Sequence, residues 1–382
     1  MLTAPATAPA QRPATGGDVR VAIAHEWLVR YAGSERCVEQ MLEEFPGARL
    51  LTTVVDPDQL PPIFREAQSS WLQRVPGAVG HHEWLVPLMP IAWRLQPPVI
   101  DVDVVLSSSH ACAKAVRRPP EIPHLCYCHT PMRYAWSFDE EAGRFPRPLR
   151  PVARAGMTAF RRWDRSVAAG VTHFIANSHA VAQRIRSCYR RQASVIHPPV
   201  DTDFFRPGGT RGEEFLYVGR LTGYKRPELV VEAFRGLSQR LTVVGTGQLE
   251  RVLRATAPRN VTLLGEVGRE RLRDLYRSAR ALVFPVNEDF GITMAEAQAC
   301  GTPVIALGEG GALDIVSEGE TGWLLRTPEL GELRDAIRRA AVEDLDERRI
   351  TGLAARFSAG RFRRELRETV ARTLAVGMER AA

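Results

Sequence analysis

The chain contains no run of eighteen or more apolar residues, so no helix in it is expected to span a bilayer. Cysteine is sparse, with six in 382 residues (Cys37, Cys112, Cys126, Cys128, Cys188, Cys300) and none in a C-x-x-C pair. Cys126 and Cys128 alternate just before His129, but no second ligand pair at similar spacing completes a zinc site. Buried free thiols in a reducing compartment are expected instead. The patterns G-x-S-x-G, H-E-x-x-H and G-K-S/T are missing, which removes a nucleophile elbow, a zinc-hydrolase helix and a P-loop from consideration. GTGQLE supplies G-x-G without a third glycine and reads as a tight turn. The first seventeen residues, rich in Ala, Pro and Thr, lack the charged start and apolar core of a signal peptide. They read as a disordered tail, and the chain as cytoplasmic.

What the chain does have is ordinary globular composition, 45% hydrophobic and 25% charged, at a length that favours two domains. Its net charge of +7 suggests an anionic partner, without choosing among nucleic acid, a phosphorylated ligand and an acidic membrane. Short apolar runs recur: VRVAIAHEWL, VDVVLSSS, PHLCYCH and THFIANS, then EFLYVGR, RLTVVGTG, VTLLG, ALVFPV and TPVIAL. Helical spacing separates them, as in SERCVEQMLEEF after a Ser34 cap and HAVAQRIRSCY after Ser178. Strands without polar alternation that alternate with helices mean parallel sheets covered on both faces. Two doubly wound halves follow: residues 18–200, then 201–360, with a basic helix at 361–382 packing back on the first half. Ligands are expected beyond the carboxyl ends of the strands, in the cleft between the halves.

One stretch at that edge carries chemistry. EDFGITMAE places Glu288 just after a strand and Glu296 one turn into the following helix, with Phe290, Gly291, Ile292 and Thr293 between. Free amides at a helix start favour an anion. Arg220 and Lys225 lie on one loop after another strand, where a pair of cations ordinarily reads as solvated surface charge.

EDFGITMAEAQACGTPVIALGEGGALDIVSEGETGWLL resembles the E-x7-E region of family 4 retaining glycosyltransferases, and VGRLTGYKRPELVVEAF resembles their phosphate segment. FIANSHAVAQRI and VIHPPVDTDFF are similar to their inter-domain region. The resemblance runs from residue 19 to about 330. It implies the GT-B architecture, an α/β fold of two Rossmann-like domains facing a central cleft. It also implies roles. Arg220 and Lys225 would neutralise the donor diphosphate. Glu288 would take donor-sugar hydroxyls, the amides around Phe290, Gly291 and Ile292 would contact sugar and distal phosphate, and Glu296 would hold the ribose. Gly33 in YAGSER resembles the glycine loop near the donor phosphate, and His129 in CYCHTPMRYAW the histidine beside the donor sugar. Ile292-Thr293 stands where Leu-Pro is commoner, and Asp314 where Glu is frequent. HEWL, GSERCVEQML and CHTPMRYAW are similar to a bacterial branch that moves mannose from GDP-mannose in O-antigen or exopolysaccharide assembly.

The expectation is therefore a nucleotide-sugar-dependent hexosyltransferase acting on a saccharide or lipid-linked acceptor, with no metal, no other cofactor and no nucleic-acid partner. A UDP-sugar donor, a GT-B epimerase and a non-catalytic nucleotide-sugar-binding subunit stand as alternatives. Three D-x-D triplets (56–58, 101–103, 201–203) occur in unrelated contexts and are set aside as metal sites. Within residues 150–167, Arg154, Arg161 and Arg165 are expected on one helical face with Val152, Phe160, Trp163 and Val167 opposite. On general grounds such a helix faces the core with a solvated outer side; with a lipid-linked acceptor it would suit an anionic membrane instead, with Trp71, Trp84 and Trp93 as further anchors.

Overall fold

The computed structural model describes residues 19–136 and 150–381. Two six-stranded sheets, every strand pair parallel, make two α/β lobes. The first holds β1 (Val21–His25), β2 (Arg49–Leu51), β3 (Val104–Ser109), β4 (His124–Cys128), β5 (His173–Ala176) and β6 (Ala193–Val195), in the order β2-β1-β3-β4-β5-β6. The second holds β7 (Phe215–Val218), β8 (Leu241–Val244), β9 (Val261–Gly265), β10 (Leu282–Phe284), β11 (Val304–Leu307) and β12 (Gly322–Leu325), in the order β12-β11-β10-β7-β8-β9. β1, β3, β4, β7, β8, β10 and β11 are buried throughout, because helices cover both faces of each sheet.

Helix α1 (Gly33–Glu44) follows β1 and buries Cys37, Val38 and Met41. Its cap is Ala32 rather than Ser34: the Ala32 amide donates to the Glu35 carboxylate at 3.1 Å, the half of a capping box that the N3 residue supplies. Helix α2 (Met89–Leu95) lies between β2 and β3. Helix α3 (Arg150–Ala169) precedes β5, and α4 (His179–Tyr189) follows it, capped by Ser178, whose hydroxyl accepts from the Val181 amide at 3.1 Å. In the second lobe, α5 (Pro227–Ala233) follows β7, α6 (Arg269–Ser278) precedes β10 and α7 (Ile292–Ala299) follows it.

Helix α8 (Ala359–Ala381) comes last in the chain yet packs on the first lobe. Phe362, Leu366 and Val370 lie in one core with Val21, Ile23, Met41 and Tyr127. Arg367 pairs with Glu44 at 2.7 Å, and Arg363 with Glu43 at 2.5 Å.

Trp93 and the basic helix depart from the membrane reading, and the helix packs on the core. Trp93 is fully buried in the first-lobe core and cannot anchor a surface, whereas Trp84 is 81% exposed. On α3 the arginines are not a separate free face. Arg161 bonds the Ala135 carbonyl, beside Phe160 and Trp163 packed on the core, and Arg165 donates to the Cys188 carbonyl at 2.8 Å. The side chain of Val152 lies outside the described residues. The same inward face carries Asp164, buried and paired with Lys114 at 2.6 Å, where an apolar residue would satisfy an amphipathic pattern. No described helix is long and apolar enough to cross a membrane.

Candidate functional site

In the second sheet, β10 lies beside β7 and successive strands depart from that pair in opposite directions. Such a reversal opens a crevice at the strands' carboxyl ends. Two loops flank it. β7 runs through Gly219 and Arg220 into a single turn, Gly223–Lys225, and β10 runs through Glu288 to the start of α7. The Lys225 ammonium pairs with the Glu288 carboxylate, the two side chains 13% and 17% exposed, and lies 5.1 Å from the Phe284 ring centroid. Arg220 donates to the Tyr224 hydroxyl at 2.5 Å and lies 5.6 Å from that ring. Among the described residues no carboxylate pairs with Arg220.

GTGQLE has more to do than turn. The Leu221 amide donates to Thr246 at 2.9 Å and the Leu249 amide returns to Leu221 at 2.9 Å, so this loop holds the backbone beside Arg220. GEGG after β11 does likewise for Glu288: the Gly311 amide donates to the Glu288 carbonyl at 2.8 Å.

Gly291 caps α7 at φ +94°, a left-handed turn that turns the chain from the β10 loop into the helix. Ile292 and Thr293 form its first turn, partly exposed. The Phe290 side chain is buried in the core and stacked on His197 at 5.7 Å. Glu296 is 3% exposed and accepts from Arg36 and from the Tyr276 hydroxyl at 3.2 Å.

The first sheet reverses between β1 and β3, and there the residues beyond the strands meet. Gly33 is the first residue of α1, and a Cβ added there would meet nothing within 4 Å, so no close backbone approach demands glycine. His129 ends at β4. Its amide donates to Ser109 at 2.9 Å, its carbonyl accepts from Asn177 at 2.9 Å, and Nε2 lies 2.8 Å from the Ser108 hydroxyl. Burial first, then the neighbouring His110 and His25, push the His129 imidazole well below its ordinary pKa, so it is neutral at pH 7. His110 lies 6.3 Å from His129 and 4.8 Å from Trp27, ring to ring.

Sequence reasoning missed the side chains that join the lobes. Arg133 (2.6 Å) and Arg184 both pair with Asp289, while Ser178 donates to the Asp289 carbonyl at 2.5 Å. Asp314 accepts from the His179 amide at 2.9 Å and from its ring. Asp289 stood next to Glu288 in view, but nothing local showed that its partners lie in the other half. Asp314 also belongs to the one His/Cys/Asp/Glu cluster among the described residues compact enough to share a metal ion, with His179 and His197, their atoms within 4.8 Å of one another. Its His179–Asp314 pair already engages two of those atoms with each other.

Two family models cover most of this architecture: Glycosyltransferase Family 4 over residues 31–204, and Glycosyl transferases group 1 over 201–356. The chain belongs to the family 4 glycosyltransferases of GT-B architecture. Curated relatives include the D-inositol 3-phosphate glycosyltransferases of Mycobacterium leprae, 32% identical over 202 residues (46% of this chain, 47% of that protein), and Nocardiopsis dassonvillei, 34% over 186 residues (40% and 43%). The chain thus spans about half the length of the curated relatives it matches. Among solved structures, sucrose-phosphate synthase from Thermosynechococcus elongatus shares the fold with a TM-score of 0.69 at 17% identity, covering 94% of this chain and 100% of that one. HepE from Anabaena, solved with UDP and glucose, does so at 0.67 and 17%, covering 92% and 99%.

Proposed function

We propose that the protein transfers a hexose from a nucleoside diphosphate sugar to a saccharide or lipid-linked acceptor, with retention of configuration. The observation that carries this reading is the Lys225–Glu288 pair at the β7/β10 crevice, with Arg220 beside it and Glu296 one helical turn beyond. Arg220 and Lys225 would meet the diphosphate and stabilise the charge that grows as it leaves. Glu288, freed of Lys225, would accept sugar hydroxyls, with the amides from Gly291 to Thr293 against sugar and distal phosphate. Glu296, freed of Arg36, would accept the ribose hydroxyls. His129, neutral, offers a hydrogen bond at the sugar without adding charge.

No described side chain stands out as a covalent nucleophile, and front-face transfer follows. The acceptor oxygen bonds the anomeric carbon as the carbon–phosphate-oxygen bond breaks. The electron pair departs with the diphosphate, which takes the acceptor proton. Positioning and leaving-group stabilisation are then the protein's contributions.

Mannose from GDP-mannose is the donor suggested by the first-lobe motifs. A UDP-sugar is the rival, favoured by the HepE complexes with UDP, glucose and UDP-glucose. Thermal shift against GDP, UDP, GDP-mannose and UDP-glucose separates them, since a ligand that binds only the native state raises the melting temperature. Product analysis with acceptor then tests transfer. Conversion of donor without acceptor would mean an epimerase, and intact donor with every acceptor a binding subunit.

A further inference from the structure

Three side chains gather where the two lobes meet, each from a different stretch of chain. His179 is the first residue of α4 in the first lobe, and Asp314 sits in the single helical turn Ala312–Ile315 of the second. His197 follows β6 on the passage between them, three residues before Val200. Each residue offers one donor atom, and the three atoms lie within 4.8 Å of one another.

Two of the three are aimed by their surroundings. One Asp314 oxygen accepts from the His179 amide at 2.9 Å and the other meets the His179 ring at Nδ1, so the carboxylate is fixed from both sides. His197 stacks on Phe290 at 5.7 Å and meets Phe357 edge-on at 5.3 Å. Its Nδ1 lies 3.3 Å from the Asn177 carbonyl oxygen. A carbonyl can only accept, so Nδ1 carries the hydrogen and Nε2 keeps its lone pair. Metal-binding histidines ordinarily make this same outer contact, which fixes the tautomer and turns the other nitrogen toward the ion. Among the described residues no hydrogen bond engages Nε2 of His197.

We propose that His179, His197 and Asp314 bind a transition-metal ion of the zinc class, which ties the two lobes together. Two imidazoles and one carboxylate suit zinc and its neighbours, whereas magnesium and calcium take oxygen ligands. A water completes the set on the open side, where the His179 side chain is 71% exposed. Donors around a tetrahedral zinc stand about 3.3 Å apart. The exposed His179 ring can close that gap by turning about its own side-chain bonds. The ion then takes the place of the hydrogen that His179 and Asp314 share. Arg356, the cation packed nearby, donates to the Asp314 carbonyl at 2.7 Å and leaves the carboxylate to the metal. The ion takes no part in the transfer chemistry, and the proposal does not depend on that reading.

The test is calorimetric titration of the full chain, without a histidine tag, with zinc. A single site should appear, and zinc should raise the melting temperature, while magnesium does neither. His179→Ala, His197→Phe and Asp314→Asn should each weaken zinc binding by more than about tenfold, the least expected when even an outer contact of a metal site is lost. Loss from both His179→Ala and Asp314→Asn means that both lobes hold the ion. His179 is exposed, so its variant should melt like wild type in EDTA, which separates a lost site from a lost fold. Cobalt in place of zinc should give d–d absorption bands without a thiolate charge-transfer band, since no cysteine is a ligand. Three results would each overturn the proposal: wild type that takes up no zinc, variants that bind it like wild type, or a thiolate band with cobalt.

Discussion

Arg36, on the first helix of one lobe, pairs with Glu296, which is buried in the other lobe 260 residues away. Glu288 is paired too, but within its own lobe, to Lys225. The two acids of EDFGITMAE therefore answer to different lobes, and their substitutions should separate. Glu288→Gln should reduce transfer strongly and free nucleotide binding little. Glu296→Gln should weaken free nucleotide and nucleotide sugar alike, since an amide offers one acceptor and a misplaced donor where a carboxylate accepts two hydroxyls. Calorimetric titration of both variants with nucleotide and nucleotide sugar, beside steady-state rates, reads the difference. Equal effects from both would mean that the acids do not contact opposite ends of the donor.

Arg220→Ala and Lys225→Ala should each lower kcat/KM by an amount on the order of 2–4 kcal/mol of transition-state stabilisation, with the fold intact. Lys225→Ala also leaves Glu288 without its cation, so it should disturb sugar selectivity more than Arg220→Ala does. Wild-type rates in either variant would remove the diphosphate assignment.

Gly311→Ala should loosen the Glu288 loop. An added Cβ would lie 2.3 Å from both the Cα and the carbonyl oxygen of Phe290, an overlap with backbone that no rotamer relieves. A loss on the order of 2–4 kcal/mol is expected, visible as a lower melting temperature together with weaker donor binding. Gly331→Ala is the control. It meets nothing within 4 Å in the helix 330–342 and should be neutral or stabilising by about 0.5–1 kcal/mol. A Gly311→Ala protein as stable as wild type would mean that the GEGG loop does not support the site.

Stability should fall on acidification between pH 6.5 and 5, in part through His124. Burial, then Arg118 and Lys114, lower this imidazole from 6.5 to about 3, and it lies 2.8 Å from the Ser107 hydroxyl. Because the folded value is depressed, the unfolded chain binds the extra proton below pH 6.5. The stabilisation is present above that value and is lost as pH falls toward the folded value, at up to about 1.4 kcal/mol per pH unit. Urea midpoints at pH 7.5, 6 and 5 should show the decline. His124→Asn should shallow it, and an unchanged slope in that variant would exclude the assignment.

Transfer should persist in excess EDTA, because two cations on one loop can hold a diphosphate unaided. Complete loss restored by manganese or magnesium would return attention to the three D-x-D triplets. Loss restored by zinc instead would point to His179, His197 and Asp314.

Much of the fold was legible because buried parallel strands leave uninterrupted apolar runs, such as VVLSSS and HLCYC. The strands that escaped are β2 (RLL), β6 (ASV) and β12 (GWLL), all at sheet edges. Glu288, Lys225 and Arg220 were legible as residues just beyond strands, and the strand order then brings their loops together. Arg36, Arg133 and Arg184 were not, because their partners are fixed by how two lobes meet rather than by local spacing. Trp93 and Trp84 show the same limit within one segment: nine residues apart and similar in sequence context, one fills the core and the other faces solvent.

The chain passes between the lobes twice, at neighbouring points. The Val200 amide donates to the Phe357 carbonyl at 2.8 Å on the outward passage, and the Ala359 amide donates to the Val200 carbonyl at 3.2 Å on the return. The return means that the first lobe is discontinuous in sequence. A fragment ending near residue 205 would bare the pocket filled by Phe362, Leu366 and Val370, and adding residues 359–381 in trans should rescue it, as a missing stave restores a barrel.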